Sequence, residues 1–288
     1  FMYMSRQLSR KQQVIKDFKK GFLPIVIPVG IICILIAPAN LSTAILIAGT
    51  SFLLMFIGRV STKHILLTMA VAIIPVVILV SIAISNYDTK AGESKKLPAI
   101  LAAGRIPTWI GRIQTFVYSK KEDNNEKLYQ INQAKIAIAK GGWLGKGPGN
   151  SEQRNFLPHS YSDFIYAIII EEYGIFGAAI ICFIYLLFLF RCIRIYRRCP
   201  YAFGAFLALA LSFTLVIQAI ANMGVNVNLF PNTGVTLPLV SMGGSSFLFT
   251  CLSIGIILSV ARNVEQQEGK LAAQNAKIIS AEKEAAIA

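Results

Sequence analysis

Charged residues are scarce in this sequence. Only 15% of its 288 residues are Asp, Glu, Lys or Arg, whereas typical soluble domains contain about 25%. The hydrophobic fraction is 55%, and the mean hydropathy is +0.60. This composition excludes an ordinary soluble domain and predicts a protein whose apolar surface is covered by lipid.

Histidine and cysteine are also few, with two and five residues. All five cysteines lie in or beside apolar runs, and their spacing matches no zinc-binding motif. Because free cysteine packs like a small apolar residue, we expect these side chains to fill space. The sequence therefore predicts no disulfide framework, no organic cofactor and no metal centre of its own. It leaves open a divalent cation that binds together with a substrate.

Six apolar runs are long enough to cross a membrane, which takes roughly 20 residues. Pro24 and Pro28 make the first of them the weakest, although membrane helices tolerate proline. The sequence thus predicts an all-α polytopic membrane protein with six transmembrane helices. The predicted spans are about 22–38, 40–58, 64–85, 164–190, 201–222 and 241–261.

Acidic residues are half as numerous as basic ones, so the net charge is +14. Lysine and arginine concentrate in 5–20, 59–63 and 191–200, whereas 37–43 and 223–240 carry no charge. The positive-inside rule therefore places both ends of the chain in the cytoplasm and residues 86–163 outside. Two flanking segments are predicted to be helical: an amphipathic helix on the membrane surface at 6–20 and a cytoplasmic tail at 263–288.

The predicted outer loop 86–163 is long and basic, with 12 Lys and Arg against 7 Asp and Glu. Its apolar patterning predicts two helices on the outer membrane surface. One covers 106–117, and the other has an apolar stripe at Leu128, Ile131, Ala134 and Ile138. A basic surface beside a membrane favours an anionic partner, such as a lipid phosphate or a pyrophosphate.

Asp163 stands where this loop meets the fourth predicted span, in the run NFLPHSYSDFIYA. A carboxylate there could accept a proton from a sugar or water hydroxyl as a general base. It could equally be an acid in the first turn of a helix, where the helix dipole favours it. His159 lies four residues earlier, where it could tune such a base or serve only the local structure.

Further polar residues permit both a structural and a functional interpretation. Glu171 and Glu172 lie inside a predicted span. They could hold helices together through an internal ion pair or hydrogen bond, or they could act as a proton relay. The run GGWLGKGPGNS at 141–151 could cradle phosphate with its N–H groups and Lys146, or it could be a connector rich in turns. In SMGGSS at 241–246, small residues favour close helix packing. Polar residues before that run could line a hydrated cavity: Gln218, Asn222, Asn226, Asn228 and Asn232.

Four stretches resemble the SEDS family (shape, elongation, division and sporulation), which includes FtsW and RodA. They are APANLST, GGWLGKGPGNS, FLPHSYSDFIYAIIIEEYG and NLFPNTGVTLPLVSMGGSS. The resemblance runs from about residue 6 to 262, so we interpret 1–262 as the C-terminal part of the family's membrane domain. Members have ten spans, which implies that the first four are missing here. Thr236 to Leu239 resemble the division branch more than the elongation branch, and sporulation members are similar.

The resemblance implies a peptidoglycan glycosyltransferase that polymerises lipid II into β-1,4 glycan strands outside the cytoplasmic membrane. Its implied partners are a class B penicillin-binding protein and other division proteins of the membrane, with no nucleic acid. Asp163 falls on the family's catalytic aspartate, which would deprotonate the attacking hydroxyl while undecaprenyl pyrophosphate leaves with inversion. The candidate substrate-binding residues are Lys135, Lys140, Lys146, Arg105, Arg112, Arg154, Ser245, Ser246 and Asn222.

The sequence also departs from the family pattern. Tyr161 stands where histidine is frequent, His159 where glutamate is common, and Asn40 where the family has aspartate. Two other functions stay open at this point. One is a lipid II flippase with Glu171 or Glu172 as proton relay, and the other is a scaffold of the division machinery without catalytic activity.

Overall fold

A computed structural model of the chain describes residues 1–88, 93–94, 106–117, 126–158, 160–231 and 233–287. Most of the described chain is helical. Two strands of two residues, β1 (Tyr87–Asp88) and β2 (Glu93–Ser94), pair antiparallel. The α-helices are α1 Met2–Arg10, α2 Leu23–Ile36, α3 Leu41–Ile57, α4 Thr62–Ser85, α5 Ile106–Val117, α6 Glu126–Gly141, α7 Ile165–Arg198, α8 Ala202–Asn226 and α9 Gly244–Ile287. A π-helical turn at Phe18–Phe22 precedes α2, and a 3-10 turn lies at Gln153–Asn155.

Five helical segments of the described chain are long and apolar enough to cross a membrane. They are Phe18–Ile36, Thr62–Ser85, Ile165–Arg198, Ala202–Asn226 and Gly244–Leu271. The remaining predicted span, 40–58, forms α3, which has only 17 residues. At 1.5 Å per residue it is about 25 Å long, short of a hydrocarbon core of about 30 Å. The prediction of an all-α polytopic membrane protein is confirmed, with five full-length spans and one shorter apolar helix.

The N-terminal segment does not form the single helix predicted at 6–20. α1 ends at Arg10, and turns lead to the π-helical turn. A Cβ at Gly21 would lie 2.4 Å from the Val14 carbonyl oxygen, so the chain folds back on itself there. Leu8 and Ile15 are buried in a cluster that includes residues of α3 and α8. The apolar residues of this segment are therefore buried by packing of a folded-back chain on the bundle, and not along one face of a continuous helix.

α8 is the most buried of the candidate spans. Of its apolar window 56% is buried, whereas the others have 6–17% buried. Alanines at positions such as Ala208, Ala210 and Ala219 have no exposed surface. Because small residues let helix backbones approach closely, α8 packs against α1, α3, α7 and α9. The C-terminal end of this central helix, at Asn226, carries the polar residues of the candidate site.

The two helices of the predicted outer loop are present. α5 lies against α4, where the Gln114 amide donates a hydrogen bond of 2.9 Å to the carbonyl oxygen of Ala83. α6 packs against α7 through Ala134 and Ala137, which contact a cluster that contains Phe164. Lys135 and Lys140 lie off this buried face and are exposed, as the apolar stripe predicted.

α7 and α9 both continue beyond the ends of the predicted spans 164–190 and 241–261. α7 contains a break at Gly174, whose φ of 69° and ψ of −170° interrupt the helix. α9 continues without interruption past residue 262 into the segment 263–288, which we predicted to be a separate cytoplasmic tail. Arg198 pairs with Glu268 at 3.7 Å, which joins the C-terminal end of α7 to this continuation of α9.

Candidate functional site

Asp163 lies in a turn of the chain immediately before α7, which begins at Ile165. Its side chain is half-buried, and Ser162 Oγ donates a hydrogen bond of 3.1 Å to Oδ1. The first turn of α7 contains no acidic residue. Asp163 thus lies just before the first turn of α7, and the choice between a general base and an acid favoured by the helix dipole stays a prediction.

Loop 233–242 borders the Asp163 carboxylate. A Cβ added to Gly234 would lie 3.6 Å from Oδ2, so this glycine faces the acid. Ser241 Oγ donates to the Ser162 carbonyl oxygen at 2.6 Å, and the Met242 N–H donates to the Tyr161 carbonyl oxygen at 2.8 Å. The loop and the turn that carries Asp163 are therefore fastened together along their backbones.

Arg112 is a predicted cation that the structure brings to this loop. Its Nη1 donates a hydrogen bond of 3.4 Å to the carbonyl oxygen of Thr233, which precedes Gly234. Within the described residues, no lysine or arginine nitrogen lies within 4.0 Å of the Asp163 carboxylate. The acid is thus bordered by a glycine, and Arg112 contacts the same loop, while no ion pair within the described residues neutralises the acid.

Two asparagines of α8 hold the backbone of Asp163. Asn222 and Asn226 each donate from Nδ2 to the Asp163 carbonyl oxygen, at 2.9 and 3.0 Å. Both side chains are only 1% exposed. The expectation that they line a hydrated cavity is wrong, because they are buried and bonded to backbone. Asn222 was predicted to bind substrate, and its contacts indicate a positioning role instead.

The serines at the start of α9 have different surroundings. Ser245 is exposed, whereas Ser246 Oγ lies 2.9 Å from Thr236 Oγ1. Gln218 of α8 in turn donates to the Thr236 carbonyl oxygen at 3.0 Å. Ser246 thereby helps to fix loop 233–242, and a substrate contact at either serine stays a prediction.

Glu171 has no exposed surface and holds the chain that precedes the Asp163 turn. Its carboxylate accepts hydrogen bonds from the Ser151 hydroxyl and from the backbone N–H groups of Glu152 and Gln153. Lys146 Nζ lies 3.6 Å from Oε1. Buried charges persist where such partners satisfy them, so these contacts support the structural interpretation of Glu171. Glu172 is half-buried on the same helix.

The glycine-rich run 141–151 packs on the break in α7. The N–H groups of Lys146 and Gly147 donate to the carbonyl oxygens of Glu171 and Glu172, at 3.0 and 2.9 Å. The Gly145 N–H donates to the Gly141 carbonyl oxygen at 2.8 Å. These groups are therefore occupied by backbone carbonyls and do not form a phosphate cradle. The run is a connector, as its turn-rich composition also permitted.

Two of the predicted substrate cations share one acid. Lys140 and Lys146 lie 2.6 and 2.9 Å from the Glu152 carboxylate. The hydrogen bond from Lys140 is the main cause that lowers the pKa of Glu152 to about 2, followed by the one from Lys146. The hydrogen bond to Glu152 in turn raises the pKa of Lys146. These lysines thus already have a counter-charge within the protein.

The remaining predicted site residues have varied positions. Lys135 is exposed on α6, and Arg154 is half-buried, with its Nε buried and without a hydrogen-bond partner. Arg105 and His159 lie outside the described residues. Within the described part of the chain, no group of three His, Cys, Asp or Glu side chains could hold a metal ion. A divalent cation brought by a substrate stays a prediction.

The sequence model of the FtsW/RodA/SpoVE family of cell cycle proteins matches residues 1–266. The chain belongs to this family. It is 30% identical over 262 residues to the probable peptidoglycan glycosyltransferase FtsW of Geobacter sp. strain M18, and 32% identical over 262 residues to stage V sporulation protein E of Bacillus subtilis strain 168. Each match covers 90% of this chain and 65% of the relative, so the chain spans about two thirds of their length.

The fold is similar to that of a solved structure as well. A chain of a peptidoglycan synthase complex superposes with a TM-score of 0.64 at 19% identity, over 91% of this chain and 67% of the other. At this identity the likeness establishes the fold alone.

Proposed function

We propose that the protein is a peptidoglycan glycosyltransferase that polymerises lipid II, with Asp163 as the general base. The observation that carries the proposal is the Asp163 carboxylate, which is held at the end of the helix bundle and forms no ion pair with a lysine or arginine of the described residues. Gly234 leaves the space beside Oδ2 without a side chain. The names of the relatives from Geobacter and Bacillus support a role in cell-wall synthesis or sporulation.

In the proposed reaction, Oδ2 of Asp163 accepts the proton of the attacking sugar hydroxyl. The hydroxyl oxygen forms the new bond to the anomeric carbon of the second sugar. The bond from that carbon to the pyrophosphate oxygen breaks, and undecaprenyl pyrophosphate leaves with the electron pair. Attack opposite to the leaving group inverts the configuration and gives a β-1,4 linkage.

The leaving pyrophosphate gains negative charge, which positioned cations stabilise. Arg112 is well placed for this task because it contacts loop 233–242 beside Asp163. Arg154 and exposed Lys135 are further candidates. Lys140 and Lys146 can contribute only in competition with Glu152, which already binds both.

The proposal places Asp163 at the outer face of the cytoplasmic membrane, with both ends of the chain in the cytoplasm. The basic loops predicted by the positive-inside rule support this orientation. The likeness to a chain of a peptidoglycan synthase complex supports a partner protein, for which a class B penicillin-binding protein is the proposed candidate.

Polymerisation of purified lipid II by the full-length protein in vesicles tests the proposal. Asp163→Asn removes the proton acceptor with little change in volume, so the rate should fall by about 10²- to 10⁴-fold. Asp17→Asn is the matched control, because Asp17 caps a turn in the N-terminal segment and asparagine caps equally well. If folded Asp163→Asn polymerises lipid II at the wild-type rate, Asp163 is not the general base.

The flippase alternative makes a separate prediction. It requires Glu171 or Glu172 to move protons, whereas Glu171 is bonded to four groups of the preceding chain. Transport of labelled lipid II across vesicle membranes, measured for Glu171→Gln and Glu172→Gln, decides it. Loss of transport with unchanged polymerisation would favour the flippase.

A further inference from the structure

Three carboxamides lie four residues apart on one face of α8: Gln218, Asn222 and Asn226. Residues spaced by four share a face of a helix. Each of these side chains donates to the backbone of another segment. Gln218 reaches Thr236, while Asn222 and Asn226 reach Asp163. The row thus connects the buried helix to both segments that form the candidate site.

The orientation of the Asn226 amide is fixed by an unambiguous donor. The backbone N–H of Ala167, in the first turn of α7, donates to Asn226 Oδ1 at 3.1 Å. Nδ2 must therefore face the other way, where it donates to the carbonyl oxygens of Asp163 and Asn222 at 3.0 and 2.9 Å. A side chain of α8 thus serves the start of α7 in the manner of an N-terminal cap.

Asn222 connects Asp163 to the opposite wall of the site. Its Nδ2 donates to the Asp163 carbonyl oxygen at 2.9 Å and to the Val235 carbonyl oxygen at 2.7 Å. An amide nitrogen carries two hydrogens, so both are used. Val235 follows Gly234, which faces the carboxylate. One buried group therefore sets the spacing between the acid and the loop beside it.

We propose that Asn222 and Asn226, together called the amide clasp, are positioning residues for Asp163. The inference rests on the proposed function, in which Asp163 is the general base. The clasp uses both lone pairs of the Asp163 carbonyl oxygen and fixes the backbone from which the carboxylate projects. Neither asparagine contacts the substrate, because both side chains are 1% exposed and bonded to backbone. A displacement of a base by about 1 Å can lower a rate on the order of 10²-fold.

The test is steady-state polymerisation of lipid II by full-length Asn222→Leu and Asn226→Leu in vesicles. Leucine has a similar shape and removes the hydrogen bonds. We expect kcat to fall on the order of 10²-fold and KM to stay within about twofold, since substrate contacts are untouched. A substrate-binding role for Asn222, as the sequence suggested, would instead raise KM.

Thr214→Val is the matched control. Thr214 lies two turns before Asn222 on α8 and donates only within the helix, to the Ala210 carbonyl oxygen at 2.8 Å. Its loss removes a hydrogen bond of the same helix without a contact to the site, and kcat should stay at the wild-type value. A loss as large as that of the asparagine variants would show a general effect of α8 and would overturn the proposal.

Folding is checked for each variant by its melting temperature in detergent. If Asn226→Leu fails to fold, Asn222→Ser decides in its place, because the shorter hydroxyl cannot reach both carbonyl oxygens. If Asp163→Asn is inactive and folded clasp variants keep the wild-type kcat, the positioning role of the clasp is overturned and the proposed base is not. Wild-type activity of Asp163→Asn overturns the proposed base itself, whatever the clasp variants do.

Discussion

Two segments meet α7 in its first ten residues, and they use polar groups in opposite ways. The turn that carries Asp163 is fastened through its backbone, by Asn222, Asn226 and Ser241, and its carboxylate lies within 4.0 Å of no described cation. The glycine-rich run 141–151 is also held by backbone hydrogen bonds, but the charged side chains in and beside it, Lys140, Lys146 and Glu152, pair with one another. Fastening by backbone leaves a side chain available for chemistry, whereas fastening by charged side chains consumes it.

The largest effect is expected from a substitution in the glycine-rich run, at Gly145. A Cβ there would lie 2.2 Å from the Glu172 carbonyl oxygen, and its φ of 77° is unfavourable for other residues. We expect Gly145→Ala to destabilise the protein by on the order of 3 kcal/mol, as overpacking and left-handed strain combine. The measurement is the free energy of unfolding in detergent or nanodiscs.

Gly142→Ala is the control for Gly145→Ala. Its φ of 54° imposes similar backbone strain, but a Cβ at Gly142 meets no atom within 4 Å. It should therefore cost only about 1 kcal/mol. Equal losses at the two positions would mean that strain alone matters, and that the close packing of this run on the break in α7 does not.

Glu171 is the second test, because its buried carboxylate is the main side-chain tie of this region. Glu171→Gln removes the charge and leaves one oxygen for the Ser151 hydroxyl and two N–H groups. Since hydrogen bonds to charged groups contribute about 1.5–3 kcal/mol, we expect a destabilisation of about 2 kcal/mol. Half-buried Glu172→Gln should change stability by no more than about 0.5 kcal/mol.

This pair of variants separates structure from activity. If Glu171 is structural, thermal unfolding of Glu171→Gln shifts downward, while the polymerisation rate of the folded fraction stays within a few-fold of wild type. A stable Glu171→Gln protein that no longer polymerises lipid II would contradict the contrast, because it would give the buried acid a catalytic task.

The sequence predicted those parts of the fold that depend on local patterns. Apolar runs placed the starts of the long helices within a few residues, although α7 and α9 continue well beyond their predicted ends. The apolar pattern of the outer loop placed α5 and the exposed Lys135. Asp163 was predicted to lie where a loop meets a span, since that junction is visible as a change in composition. α3 was placed within one residue at each end by the apolar run at 40–58, and its 17 residues are slightly fewer than a full span takes.

The sequence could not predict contacts that join distant segments. A row of amide side chains on α8 could line a hydrated cavity or form buried hydrogen bonds to another segment. Which of the two occurs depends on whether the carbonyl oxygens of Asp163 and Val235 lie within reach, and the sequence does not show this. Likewise, nothing in the sequence around Lys140 and Lys146 indicates that both form ion pairs with Glu152. The break at Gly174 also depends on the approach of residues 143–145, which no local pattern encodes.

Glu152 provides the smallest and most specific test. Its pKa is lowered to about 2 by Lys140 and Lys146, from an ordinary value of 4.5. Because the pKa is lower in the folded state, this stabilisation is fully present above pH 4.5 and is lost as the pH falls toward 2. The melting temperature of Glu152→Gln should therefore be slightly below that of wild type at pH 7, and the difference should shrink near pH 3. Since the three side chains are 27–58% exposed, 1 M salt should also reduce it. A difference that is large, or independent of both pH and salt, would show that Glu152 acts through buried packing rather than through the two lysines.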